Sequence, residues 1–204
     1  MDRKKSTLFQ DLLLDYSHET DLEKRRQIED ALWQQYGSEY AVLVLDMTGF
    51  SLLTRKYGIV HYLSMVRRMQ LTVDPIIDSF EGTVIKFEAD NCFAVFPQPL
   101  PAIRAAIALQ IAFEASTLIT TDDLDIHISC GIDYGKILIV EMEDCFGEAI
   151  NRACKLGEDI GIANDILVTK EAMDLVPQEA DLKSKSLELS VSGIKITAYA
   201  IEYK

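Results

Sequence analysis

Six polar residues in this chain occupy positions whose types and spacing could do chemistry. Asp46 follows the unbroken β-prone run Ala41-Val42-Leu43-Val44-Leu45 and precedes the small-residue turn Met47-Thr48-Gly49-Phe50. A carboxylate there lies at a sheet rim beside free backbone N–H groups, a setting that suits a divalent metal held against phosphate. Taken alone, Asp46 serves equally well as the cap of a helix starting near Ser51. Lys86 and Asp90 lie four residues apart in the polar centre of residues 82–96, where two apolar runs flank Lys86-Phe87-Glu88-Ala89-Asp90. That pattern is a β-hairpin whose turn carries charge, although an exposed turn with one solvated lysine has the same signature. Asp144 comes shortly before Gly147, which opens a helix placing Asn151 and Lys155 four residues apart on one face. Carboxylates for a cation and cations for phosphate make these residues readable as parts of a nucleotide site.

The elements that must position them follow from periodicity. Leu8, Phe9, Leu12, Leu13 and Tyr16 predict a first helix, and the capping box Thr20-Asp21-Leu22-Glu23 predicts a second, running to about Tyr36 and ended by Gly37-Ser38. Residues 41–45 predict a buried central strand. A long helix is expected over 59–80, its apolar stripe carrying Tyr62, Leu63, Val66, Met69, Val73, Ile76, Ile77 and Phe80, with Pro75 bending or splitting it. After the hairpin come a proline-started, well-buried helix over 102–115, an acidic loop over 120–125, and a strand, a glycine-marked turn and a second strand over 126–140. Asp133 and Tyr134 would lie in that turn with a structural role. A strand at 166–169, a helix at 170–175 and closing strands at 182–191 and 194–202 complete the chain. The order is that of an α+β fold with a ferredoxin-like core, a mixed and mostly antiparallel sheet covered by helices. Residues 1–38 form an N-terminal helical arm and residues 39–204 the main domain.

Bulk composition narrows the partners. A formal charge of −13 argues against nucleic acid, whose backbone is bound chiefly through Lys and Arg. It leaves room for a phosphorylated small molecule, because bound divalent cations invert the local field. No apolar run reaches the length of a membrane span and the N-terminus has no signal-peptide core, so the expected location is cytoplasmic. Cys92, Cys130, Cys145 and Cys154 lack metal-site spacing and are expected as reduced thiols. His18, His61 and His127 are scattered, and Glu88 and Glu148 are expected to be solvated, the alternative being that either tunes the site.

The segments that carry these residues resemble the class III nucleotidyl cyclase catalytic domain, the adenylate/guanylate cyclase family, over about residues 40–203. Asp46-Met47-Thr48-Gly49-Phe50 is similar to its first metal motif, Lys86-Phe87-Glu88-Ala89-Asp90 to its Lys-x-x-Gly-Asp hairpin, and Asp144-Cys145-Phe146-Gly147 with Asn151 and Lys155 to its Asp-x-x-Gly-x-x-x-Asn-x-x-x-Arg segment. The resemblance implies that Asp46 and Asp90 bind two divalent metal ions, Mg or Mn, and that backbone groups of Met47, Thr48, Gly49 and Phe50 meet phosphate. It makes Lys86 and Asp144 the base-reading pair. A lysine donating to ring N1 and a carboxylate accepting from the 6-amino group fit adenine. Asn151 would orient the ribose and Lys155 would stand in for the arginine that stabilises the α-phosphate. The implied activity is conversion of ATP to 3′,5′-cyclic AMP and pyrophosphate at the interface of a head-to-tail homodimer. The alternatives are a cyclase for GTP or a pyrimidine nucleotide, or a degenerate cyclase-homology module that binds nucleotide or dimerises. Two departures bear on the rate: Lys155 replaces a planar fork by a point charge, and Ala89 occupies a turn position where the family has glycine.

Overall fold

The computed structural model describes residues 4–118, 124–191 and 194–204; side chains are further restricted to 8–49, 54–118, 124–189 and 196–204. Most of the expected acidic loop therefore lies outside the described residues. Two helices, α1 (Lys4–His18) and α2 (Leu22–Tyr36), open the chain. The cap of α2 is Asp21 rather than Thr20: its carboxylate accepts from the N–H groups of Glu23 and Lys24 at 2.8 and 3.3 Å. Thr20 and Asp21 in turn donate their N–H groups to Glu19 Oε1. The arm folds back on the rest of the chain through Phe9, which is 4% exposed and packs edge-on against Tyr36 and stacks on Phe146.

Strand β1 (Gly37–Met47) is the axis of the sheet. Its β-branched and leucine residues 41–45 are fully buried because the sheet has helices on both faces. Ala41, Leu43, Leu45 and Met47 face a core shared with two helices, while Val42 and Val44 face a second core on the other side. The chain continues through α3 (Phe50–Tyr57), α4 (Ile59–Ser79), the hairpin β2 (Thr83–Glu88) and β3 (Asn91–Phe96), and α5 (Pro99–Thr117). Pro75 does not split α4. The carbonyl that its missing N–H leaves unbonded belongs to Leu71, a residue 60% exposed.

Strand β4 (Ile128–Val140) is one continuous strand and pairs with β1 along its length, from Met47↔Ile128 to Gly37↔Leu138. The turn expected inside it is absent. Gly131 marks a close approach instead: a Cβ there would lie 2.0 Å from the Ala153 carbonyl oxygen and 2.5 Å from the Gly157 nitrogen. The true reversal is at residues 141–143, followed by β5 (Asp144–Phe146), which returns along the end of β4. Then come α6 (Glu148–Cys154), a π-helical segment Lys155–Ile160, β6 (Ile166–Thr169), α7 (Lys170–Met173), β7 (Lys183–Val191) and β8 (Ile194–Glu202).

Among the described residues the strands form one sheet in the order β2-β3-β1-β4-β6-β8-β7, with β5 beside β4. Only β4 and β6 are parallel. The first four strands with their connecting helices are the expected ferredoxin-like βαββαβ core. Helices α4 and α5 cover one face, α6 the other.

Candidate active site

The end of β1 and the tip of the β2–β3 hairpin bring Asp46 and Asp90 together. Asp46 is half-buried, opposite Asn91 on β3 and Ser129 on β4. The hairpin turns through Ala89 and Asp90, with Ala89 in the left-handed region at φ 52°. Alanine thus keeps the turn, at a conformational cost of about 1–2 kcal/mol relative to a right-handed residue. Burial, then the charge of Asp90, then that of Glu158 push the Asp46 carboxyl up to about 7. The Tyr62 phenol on α4 is pushed up to about 12 by burial, then by the negative charges of Asp90 and Asp46. Asn91 Oδ1 is buried and accepts no hydrogen bond among the described residues. No Lys or Arg among them forms an ion pair with Asp46 or Asp90.

Of the backbone groups expected to meet phosphate, the Thr48 N–H is already engaged: it donates to the His127 carbonyl at 2.9 Å, and the Thr48 hydroxyl reaches the same oxygen at 3.3 Å. Met47 is buried. Gly49 has φ 82° with open space where a Cβ would stand, and it caps α3, whose first N–H groups have no intrahelical acceptor. Phe50 begins α3; its side chain lies outside the described residues.

Lys86 and Asp144 come from β2 and β5, far apart in sequence, yet Lys86 Nζ lies 3.0 Å from Asp144 Oδ1. The same ammonium lies 2.8 Å from Glu88 Oε2 and 4.9 Å from the centre of the Phe93 ring, its cross-strand neighbour. Burial alone would lower the lysine, but its bonds to the two carboxylates outweigh that and push it up to about 12. Asp144 Oδ1 also accepts from the Cys145 N–H at 2.9 Å. Glu88, expected in solvent, is therefore part of this cluster. Its position two residues from Lys86, hence on the same face of β2, was the signal in the sequence.

Asn151 is exposed on α6 and Lys155 half-buried at the start of the π-helical segment. Among the described residues neither side chain forms a hydrogen bond or an ion pair. The helix that carries Asn151 is tied to β4 by Arg152, which donates through Nε to Asp133 Oδ2 at 2.6 Å and through Nη1 to Glu148 at 3.0 Å. Glu148 is thus paired, and Asp133 is a fully buried strand residue rather than a turn residue. Thr169, which caps α7, donates its hydroxyl to the other oxygen of Asp133. Burial pushes the Asp133 carboxyl up against the pull of these two donors. Sequence reasoning missed Arg152, Tyr62 and Glu158, because each acts through a partner distant in sequence; Tyr62 carried only the signature of an apolar stripe.

The donor set suits a hard divalent cation. Asp46 and Asp90 lie close enough to repel each other, and the unpartnered Asn91 oxygen lies beside them. Two carboxylates, with water and substrate phosphate completing the shell, are a common arrangement for Mg. Among the described residues no group of three or more His, Cys, Asp or Glu side chains is arranged to hold a metal without substrate. All four cysteines are free, three of them buried. No described helix is long and apolar enough to cross a membrane.

Similar proteins share these features of fold. A "putative adenylate cyclase 3" of Rhizobium meliloti (strain 1021) is 31% identical over 117 residues, 57% of this chain; the match spans 20% of the length of that relative. The solved adenylate/guanylate cyclase/hydrolase of Silicibacter pomeroyi is 26% identical with a TM-score of 0.67, covering 81% of this chain and 96% of that one. The catalytic core of a rhodopsin-guanylyl cyclase with converted specificity, solved with ATPαS, superposes at a TM-score of 0.71 with 18% identity, over 81% of this chain and 98% of its own. Residues 33–203 match the model of the adenylate and guanylate cyclase catalytic domain, and the chain belongs to that family.

Proposed function

We propose that residues 39–204, preceded by the arm of residues 1–38, convert ATP to 3′,5′-cyclic AMP and pyrophosphate. The observation that carries the choice of base is the 3.0 Å contact between Lys86 and Asp144. Lys86 donates to adenine N1 and Asp144 accepts from the 6-amino group; guanine presents a donor and an acceptor in the opposite places. Asn151 orients the ribose so that its 3′ oxygen can bond to the α-phosphorus as the bond to pyrophosphate breaks and the 3′ proton leaves. Lys155 places a positive charge beside the α-phosphate. It does so as a point charge without the bidentate fork of arginine, which predicts a slower enzyme. Gly49 and Phe50 offer the N-terminal N–H groups of α3 to phosphate. Asp46 and Asp90 would hold two divalent ions, Mg or Mn, which when bound lower the pKa of the hydroxyl and neutralise the triphosphate.

Neither Asp46 nor Asp90 has a cationic partner among the described residues. This supports a head-to-tail homodimer in which Lys86, Asp144, Asn151 and Lys155 of one copy face the carboxylates of the other. A cyclase acting on GTP is the second reading, favoured by the guanylyl cyclases among the solved structures of the same fold. Incubation with ATP, GTP, CTP and UTP plus Mn or Mg, with chromatography of the products, separates these. Cyclic AMP as the main product, lost in Asp46→Ala, is the expected result; cyclic GMP as the main product establishes the second reading. No cyclic product from any nucleotide, at concentrations where sizing gives a dimer, sinks both readings and leaves a nucleotide-binding or dimerisation module.

A further inference from the structure

We infer that Glu88 is a third base-selecting residue, so that Glu88, Lys86 and Asp144 present an acceptor–donor–acceptor edge suited to a purine bearing amino groups at both C2 and C6. The inference rests on the proposal that Lys86 and Asp144 read the base, and extends it to a residue with a different consequence. Both carboxylates lie within 3.0 Å of Lys86 Nζ, so the ammonium stands between them. An ammonium has three N–H donors. Two are engaged here, and the third is available to a ring nitrogen. Asp144 uses Oδ1 for Lys86 and for the Cys145 N–H, and Glu88 uses Oε2 for Lys86. Among the described residues Asp144 Oδ2 and Glu88 Oε1 take no other hydrogen bond, so each carboxylate keeps an oxygen for a ligand. Glu88 is exposed, with its side chain 66% accessible, so a ligand can reach it.

Seated with N1 at Lys86 and the 6-amino group at Asp144, adenine turns its C2 side toward Glu88. Adenine has only a C–H there, and the second acceptor has no partner of matching strength. A 2-amino group supplies an N–H donor at that point. Guanine carries the same 2-amino group but meets Asp144 with a carbonyl and Lys86 with an N–H, two mismatches against one match. The cluster therefore ranks 2,6-diaminopurine above adenine and adenine above guanine.

Equilibrium titration of the full chain, with Mn present, uses the α,β-methylene triphosphates of 2,6-diaminopurine riboside, adenosine and guanosine, which cannot lose pyrophosphate. The diaminopurine analogue is expected to bind about tenfold more tightly than the adenosine analogue, and guanosine weakest. In Glu88→Ala that tenfold preference falls to about one, and Glu88→Asp restores part of it. A role of Glu88 limited to folding or to holding Lys86 would shift the diaminopurine and adenosine affinities together and leave their ratio unmoved. Equal binding of the diaminopurine and adenosine analogues in the unaltered chain, a ratio that survives Glu88→Ala, or no binding of any analogue overturns the inference. Turnover of the ordinary triphosphates is scored separately. Absence of cyclic product with the binding ratio intact would end the cyclase proposal and keep the assignment of Glu88.

Discussion

The two ends of the β2–β3 hairpin handle charge in opposite ways. At the tip, Asp90 meets Asp46 and Glu158 with no described cation to offset them, and Asp46 responds by holding its proton up to about pH 7. Along β2, Lys86 is bracketed by Glu88 and Asp144 and holds its proton up to about 12. One region is electrostatically unfinished until something positive binds. The other is complete in the free chain and, on the proposed function, would engage the base through leftover hydrogen-bonding valences. A site that must bind metal is built by leaving repulsion in place, whereas a site that must discriminate among bases is built by fixing donors and acceptors beforehand.

The sharpest way to break this comparison is to remove one charge from each end. Asp90→Ala is expected to lower cyclic nucleotide formation by about a thousandfold or more for whichever nucleotide is the substrate, because charge stabilisation by bound metal is worth several kcal/mol. Lys86→Met is expected to lower kcat/KM for ATP by about tenfold to a hundredfold and to bring ATP and GTP closer together. Equal losses of rate and unchanged base selectivity in the two variants would mean that the ends do not divide the work.

The next effect is read in stability. Asp46 titrates near 7 in the fold and at about 4 in an unfolded chain, so the fold binds that proton more tightly. Its contribution to stability is full below about pH 4 and is lost as pH rises through 7. The Tm of protein stripped of divalent cations should accordingly fall between pH 5 and pH 8. Asp46→Asn should flatten that decline, and added Mn should oppose it mainly at the alkaline end. A smaller effect belongs to the turn. Ala89→Gly removes the left-handed strain at φ 52° and should raise stability by up to about 1 kcal/mol in denaturant titration. No gain would mean that the added backbone freedom of glycine in the unfolded chain cancels the relief.

Much of the fold was legible because burial on both faces leaves a plain mark. Residues 41–45 announced a central strand, and the closing strands at 183–191 and 194–202 lie within a residue of where their alternation put them. The error in β4 has a physical cause. Glycine supplies both conformational freedom and lack of bulk, and a sequence does not distinguish the two. At Gly131 the need is for lack of bulk, because α6 and the π-helical segment rest directly on the strand. In the site, the meeting of Lys86 with Asp144 was expected only through family resemblance, since no local pattern joins β2 to β5. Glu88 was within reach of strand alternation, but a lone acidic residue near a turn looks the same whether it faces water or a lysine. The engaged Thr48 N–H could not be foreseen, because its acceptor is the carbonyl of His127, just before β4 and distant in sequence.

The stack of Phe9 on Phe146 sets an order on folding. The berth of Phe9 is complete only once β5 exists, and β5 needs β4, which itself pairs with β1 from 81 to 101 residues away. Contacts of such long separation carry a large loop-closure entropy and slow the search for the native state. On a ribosome the opening helix would emerge well before β5 and complete its docking only after it. Until then its leucines and Phe9 would be open to chaperones or to the same segment of a neighbouring nascent chain.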